Sequence, residues 1–215
     1  MTEQMSAPIG ARSARTLTEG LGRSGVMGRW GARAGVAAPV LAIFATVVGS
    51  PLYADDLSSA ATTGRFTLAA AATLLVLLAL VPALVSVYLD SAARLRASGH
   101  VGFSLAMAGT ILAAGGAWDS LFTVPYLAYH APEVLTANTS GSLLAGYVIS
   151  YLVLVIGWAV LAAATLRAHT LPRSASIMLL AGAILAIPPL PTALRILPLA
   201  LGVALACRGV MPRTK

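Results

Sequence analysis

The stretch Leu143–Leu166, LLAGYVISYLVLVIGWAVLAAATL, decides the fold. It carries no charge and no proline over 24 residues, and as a helix it would span about 36 Å. A bilayer hydrocarbon core is roughly 30 Å thick and takes about 20 apolar residues to cross. A backbone in lipid must satisfy its own hydrogen bonds, so a run of this kind predicts a helix and not an open strand. Three more uncharged runs lie upstream: Ala34–Ala54, Phe66–Leu89 with Pro82 as a kink, and Val101–Trp118. The first is bracketed by Trp30 and Tyr53, two aromatic rings suited to the two headgroup interfaces.

The C-terminal part divides differently. Ser174–Leu194 is uncharged but holds Pro188, Pro189 and Pro191, while Ile196–Cys207 is only 12 residues long, between Arg195 and Arg208. Twelve residues give about 18 Å, too little to cross alone. Either the prolines form an outer turn between two short helices, with the arginines snorkelling to the interfaces, or one of the two helices lies flat or re-enters. The hairpin is preferred. The expectation is therefore an all-α membrane protein, a bundle of about six transmembrane helices with short loops. Residues 1–33 form a disordered basic cytoplasmic tail, 34–208 the helical domain and 209–215 a second cytoplasmic tail.

Composition agrees. Of 215 residues 58% are hydrophobic and 10% charged, whereas a soluble domain carries about 25% charged residues. That excludes a water-soluble globule. The net charge of +7 sits between the apolar runs and not along one face, so it reads as membrane orientation, with no nucleic-acid partner. Six spans with a cytoplasmic N-terminus put 12 basic residues inside and only Arg65 and Arg195 outside. Both termini are thus expected on the cytoplasmic side of a bacterial plasma (inner) membrane. The first span is expected to be retained: it is longer than a signal-peptide core, and a cut after Ala54 is the alternative. Arginines in the N-terminal tail would also hold anionic lipid.

Most motifs dissolve on inspection. Gly20, Gly22 and Gly25 have the dinucleotide-fingerprint spacing, but no strand precedes them. Asn138-Thr139-Ser140 is a glycosylation sequon relevant only to a eukaryotic secretory route. Asp55 and Asp56 are adjacent, not spaced to share a magnesium diphosphate from one helix face. The single Cys207 reads as apolar packing. No cofactor or metal is expected.

Packing signals are firmer. Gly102, Ala106, Thr110 and Ala114 recur every four residues, with Gly109, Ala113 and Ala117 beside them, and Gly146 with Ser150 repeats the pattern on the fourth span. Small residues at this spacing let helices approach closely, within one bundle or as a homodimer seam. Tyr147 and Tyr151 lie one turn apart on that fourth span.

One constellation bears on function. Asp119 lies at or just below the outer boundary if the third helix starts near Val101, and His130, Glu133, Asp55 and Asp56 would share that outer face. An acid at such depth is expensive unless it faces the bundle or water. Asp119, His130 and Glu133 are thus weak catalytic candidates. The plainer reading is that Asp119 marks where the third helix leaves the membrane, and that His130 and Glu133 are solvated loop residues.

Gly157-Trp158, Ala164-Thr165-Leu166-Arg167-Ala168, Leu171-Pro172-Arg173, Leu180-Ala181-Gly182-Ala183 and Pro188-Pro189-Leu190-Pro191 resemble a pattern of small multi-pass membrane proteins of actinobacterial type. Gly115-Gly116-Ala117-Trp118, Val124-Pro125 and Ala131-Pro132 are similar to the same group. The resemblance covers roughly the last half of the chain and is built from helix ends and turns. It implies an integral membrane protein of uncharacterised function and carries no catalytic residues.

Three functions follow in order: a structural, regulatory or partner-binding membrane component; a small transporter or proton-coupled carrier using Asp119; a membrane enzyme acting on an apolar lipid or isoprenoid. A carrier would need hydroxyls such as Thr46, Thr73, Ser86, Thr110 and Ser150 as a relay. A polar cavity reaching Asp119 from the bundle centre would favour the carrier. An apolar pocket open to the bilayer with Asp119 at its end would favour the enzyme, and a solid core neither. A reporter active only in the cytoplasm, fused after Lys215, is expected to give signal; silence there would remove the six-span topology.

Overall fold

The computed structural model describes residues 26–50, 56–136, 141–186 and 192–210. They form eight α-helices: α1 Val26–Gly49, α2 Leu57–Ala61, α3 Gly64–Ser91, α4 Ala97–His130, α5 Pro132–Thr136, α6 Ser142–Arg167, α7 Arg173–Leu185 and α8 Thr192–Val210. A short 3₁₀ turn, Ala92–Arg94, links α3 to α4. Helices α1, α3, α4 and α6 are long and apolar enough to cross a membrane, and α7 with α8 makes a C-terminal pair of 13 and 19 residues. This is the expected all-α membrane bundle. The tail before Val26, Asp55, the sequon and Pro188, Pro189 and Pro191 lie outside the described residues.

The six longer helices close on one another. Helix α1 packs on α3 and α8, α3 on α4, α4 on α6, α6 on α7, and α7 on α8. Because the helix pairs just named run antiparallel, the described arginines segregate. Arg29, Arg33, Arg94, Arg96, Arg167, Arg173 and Arg208 are exposed at one end, against Arg65 and Arg195 towards the other.

Contact in this bundle is made backbone to backbone. A β-carbon at Gly102 would stand 2.7 Å from Leu161 N, and one at Gly109 or Gly157 would overlap the backbone of Leu154 or Ala106. The small-residue stripe of the third span is therefore spent on α6 of the same chain, and Gly157 supplies the matching gap. Across this seam the buried Trp158 Nε1 donates to Thr110 Oγ1 at 3.1 Å, and Thr110 Oγ1 donates to Ala106 O at 2.7 Å. The C-terminal pair repeats the device: β-carbons at Gly182 and Gly202 would meet Leu199 N at 2.6 Å and Leu179 N at 2.8 Å. Helices α1 and α3 meet at Gly31, whose β-carbon would overlap Ser86 Oγ and the Pro82 carbonyl. Cys207 is buried against Gly35, where α1 and α8 touch.

Two boundaries differ from the sequence expectation. Helix α1 starts at Val26, so residues 26–33 are helical and not tail. Gly31 and Gly35 are buried against α3 and α8, and that packing overrides the weak helix propensity of a glycine-rich segment. Helix α4 does not end at Trp118 but runs 34 residues to His130, through Asp119 and Pro125. A proline costs one intrahelical bond and kinks a helix without ending it when packing carries the rest.

The seam gives a sharp mutational contrast. Gly157→Val should cost about 3 kcal/mol or more through overpacking against Ala106. Gly146→Ala, where a β-carbon has nothing within 4 Å, should be neutral or stabilising by up to about 1 kcal/mol. Thermal unfolding of the detergent-purified variants, followed by circular dichroism, measures both.

Candidate functional site

The seam between α4 and α6 does not run the full length of the pair. Beyond Gly109 and Leu154 the two helices stop touching backbone to backbone. Residues 144–149 of α6 are all exposed, Gly146 faces open space, and a β-carbon at Gly116 would meet only the Tyr147 ring at 3.5 Å. The same small residues that close the deeper half leave a hollow here. The result is a cavity of about 520 Å³ bounded by α1, α2, α3, α4, α6 and α8.

Its walls are mostly apolar, with Phe66, Ala70, Leu112, Ala113 and Ala117 among them, and Leu57 and Ala60 of the short helix α2 close one side. Local chemistry explains why α2 sits there. Thr63 accepts a hydrogen bond from Phe66 N and so caps α3, and Tyr129 Oη donates to Thr62 O at 3.2 Å from the end of α4. Ala60 and Ala61 are buried beneath.

Asp119 and Tyr147 give the cavity its polar end. The Asp119 side chain projects from α4 about two-thirds of the way along it, half-buried, and Tyr147 Oη donates to its Oδ2 at 3.0 Å. This bond gives the carboxylate a partner on the facing helix, so Asp119 need not mark the end of α4. Tyr151, one turn below Tyr147, also lines the cavity, and the Arg195 guanidinium lies 5.1 Å from its ring centroid. Arg195 is thus inside α8 and half-buried, not at a boundary before it.

The hydroxyls around the site are committed elsewhere. Thr73, Ser120 and Ser150 line the cavity, yet each donates to the carbonyl four residues earlier on its own helix, at 2.8, 3.0 and 2.7 Å. Thr46 and Thr110 do the same, and Ser86 lies within reach of the Pro82 and Gly28 carbonyls. The five hydroxyls a proton relay would need thus bond to helix backbone.

The other candidates are not among the residues that line the cavity. His130 is exposed at the end of α4, 11 residues on and roughly 16 Å along the helix, with its ring 4.4 Å from Tyr126. Glu133 is exposed in the first turn of α5. Asp56 is exposed ahead of α2, where Ser58 Oγ donates to its carboxylate. Among the described residues no three His, Cys, Asp or Glu side chains gather as a metal ion would require.

Sequence reasoning singled out Asp119 but read Tyr147 and Tyr151 as packing and Arg195 as an interfacial anchor. The available signal was their spacing: two phenols on one helix face beside Gly146 and Ser150, and an arginine within an apolar run. Outside the cavity, α4 carries an exposed aromatic file, Trp118, Phe122, Tyr126 and Tyr129, with Trp118 and Phe122 4.3 Å apart. Comparison with protein-family models, curated proteins and solved structures gave no match.

Proposed function

We propose that this chain is a ligand-binding protein of a bacterial plasma membrane, holding a small, largely apolar molecule against Asp119 and Tyr147. The observation that carries this reading is the cavity of about 520 Å³ in a bundle otherwise seamed backbone to backbone. Small-molecule sites are typically about 300–1,000 Å³, mostly apolar, with a few placed polar groups, and this one has that character. An unfilled void forfeits the contacts on which helix association in lipid depends.

The placement follows from charge and aromaticity. Seven exposed arginines at one end favour that end as cytoplasmic, which puts the cavity in the outer half. The aromatic file from Trp118 to Tyr129 covers about 16 Å of α4 and suits the outer headgroup region. Asp119 then lies near that boundary, where an amphipathic molecule could enter from the lipid side. A hollow of this kind departs from the solid core of a purely structural component and gives the chain a binding site.

A second reading has its own support. Walls this apolar, ending at a carboxyl group that accepts a hydrogen bond from Tyr147, are what an enzyme acting on a lipid or isoprenoid would present, with Asp119 in its protonated form as general acid. Binding precedes chemistry in either case. The carrier gains less, because its relay hydroxyls donate to helix backbone.

Filling the cavity tests the proposal without unfolding the protein. Gly116→Leu grows into the hollow, where its β-carbon makes only ordinary contact with Tyr147. It should keep or raise thermal stability and weaken saturable binding of a neutral apolar dye, such as phenylnaphthylamine, by about tenfold or more. Dye binding equal to that of the unsubstituted protein would contradict the proposal.

A further inference from the structure

We infer that the ligand is an amphipathic monocation, an organic cation with an apolar body, whose charged head sits beside Asp119. The inference rests on the cavity being a ligand site, and adds the charge of what fills it. Among the described lining residues Asp119 is the one acid, and none of them is a lysine, arginine or histidine. A carboxylate facing apolar walls is costly without a countercharge. Tyr147 supplies a hydrogen bond, which orients the carboxylate but adds no charge.

The rings point the same way. Tyr147, Tyr151 and Phe66 present aromatic surface to the hollow, and aromatic faces attract cations, the more so when water is excluded. Tyr151 already meets one cation, Arg195, at 5.1 Å. That guanidinium would repel a second positive charge at Tyr151, which steers an incoming head towards Tyr147 and Asp119. Asp56 and Arg65, next to the lining residues Leu57 and Phe66, are both exposed. Their opposite charges offset each other in water and Arg195 is not among the lining residues, so among the described residues Asp119 is the charge that meets the hollow. The apolar walls of α3 and α4 take the hydrocarbon part.

Tetraphenylphosphonium and tetraphenylborate match in shape and differ in the sign of their charge, so they isolate this claim. Saturable binding of each to the full chain is measured by equilibrium dialysis in neutral detergent, against protein-free micelles. Asp119→Asn should weaken phosphonium binding by about tenfold or more, leaving borate binding unchanged or stronger. Asp119→Glu, which restores the charge, should restore the phosphonium. If Asp119→Asn does not fold, competition in the unsubstituted protein decides: phosphonium should displace the neutral dye, and borate should not.

Equal loss of both ions, or no loss of either, would overturn the cation while the dye result with Gly116→Leu still upholds the pocket. Failure of the dye and both ions to bind the unsubstituted protein would overturn the pocket itself.

Discussion

Helices in lipid cannot be driven together by the escape of apolar surface from water, because the tails they leave are as apolar as the side chains they meet. What remains is close packing, and here it depends on glycine. Gly102, Gly109 and Gly157 let α4 and α6 touch along their backbones, Gly182 and Gly202 do so for α7 and α8, and Gly31 and Gly35 for α1 against α3 and α8. The Trp158–Thr110–Ala106 chain of hydrogen bonds then satisfies the polar atoms buried in the first of these seams. The rest of the bundle takes its spacing from them.

The cavity is the other side of that constraint. Where the seam of α4 and α6 runs out, alanines and glycines no longer face a backbone, and nothing large replaces them. The hollow stays open because its boundaries are held from elsewhere: α2 by the Thr62–Tyr129 bond, and the facing walls of α4 and α6 by Asp119 and Tyr147. A single hydrogen bond of that kind is worth roughly 1 kcal/mol, more when one partner is charged. It therefore serves orientation more than stability. Pocket, acid and aromatic rings thus arise from one local change in how two helices pack.

Much of this was readable beforehand, and the limits are instructive. The span Leu143–Leu166 agrees with α6 to within a residue at each end, because an unbroken apolar run leaves a lipid-bound chain no alternative to helix. The stripe of Gly102, Ala106 and Thr110 was also visible, since the four-residue period is a property of the helix itself. The continuation of α4 through Asp119 and Pro125 was not. Local rules treat an acid and a proline as places to stop, and only the partner on α6 shows why the helix need not. Gly146 is less legible for the same reason: its spacing fits a packing stripe, and within this chain its β-carbon position is open, because whether a small residue meets a backbone or a void depends on the neighbouring helix. The early start of α1 is a third case, fixed by what Gly31 and Gly35 touch and not by the residues around them.

The account stands or falls on α4 and α6 being closed at one level and open at the next. Single cysteines at position 110, within the seam, and at positions 120 and 150, on the cavity wall, read this directly through their reaction with a small methanethiosulfonate. Thr110 and the native Cys207 are both fully buried, so they should react slowly, while Ser120→Cys and Ser150→Cys should react about tenfold faster or more. A cysteine at 110 that reacts as fast as one at 150 would contradict it.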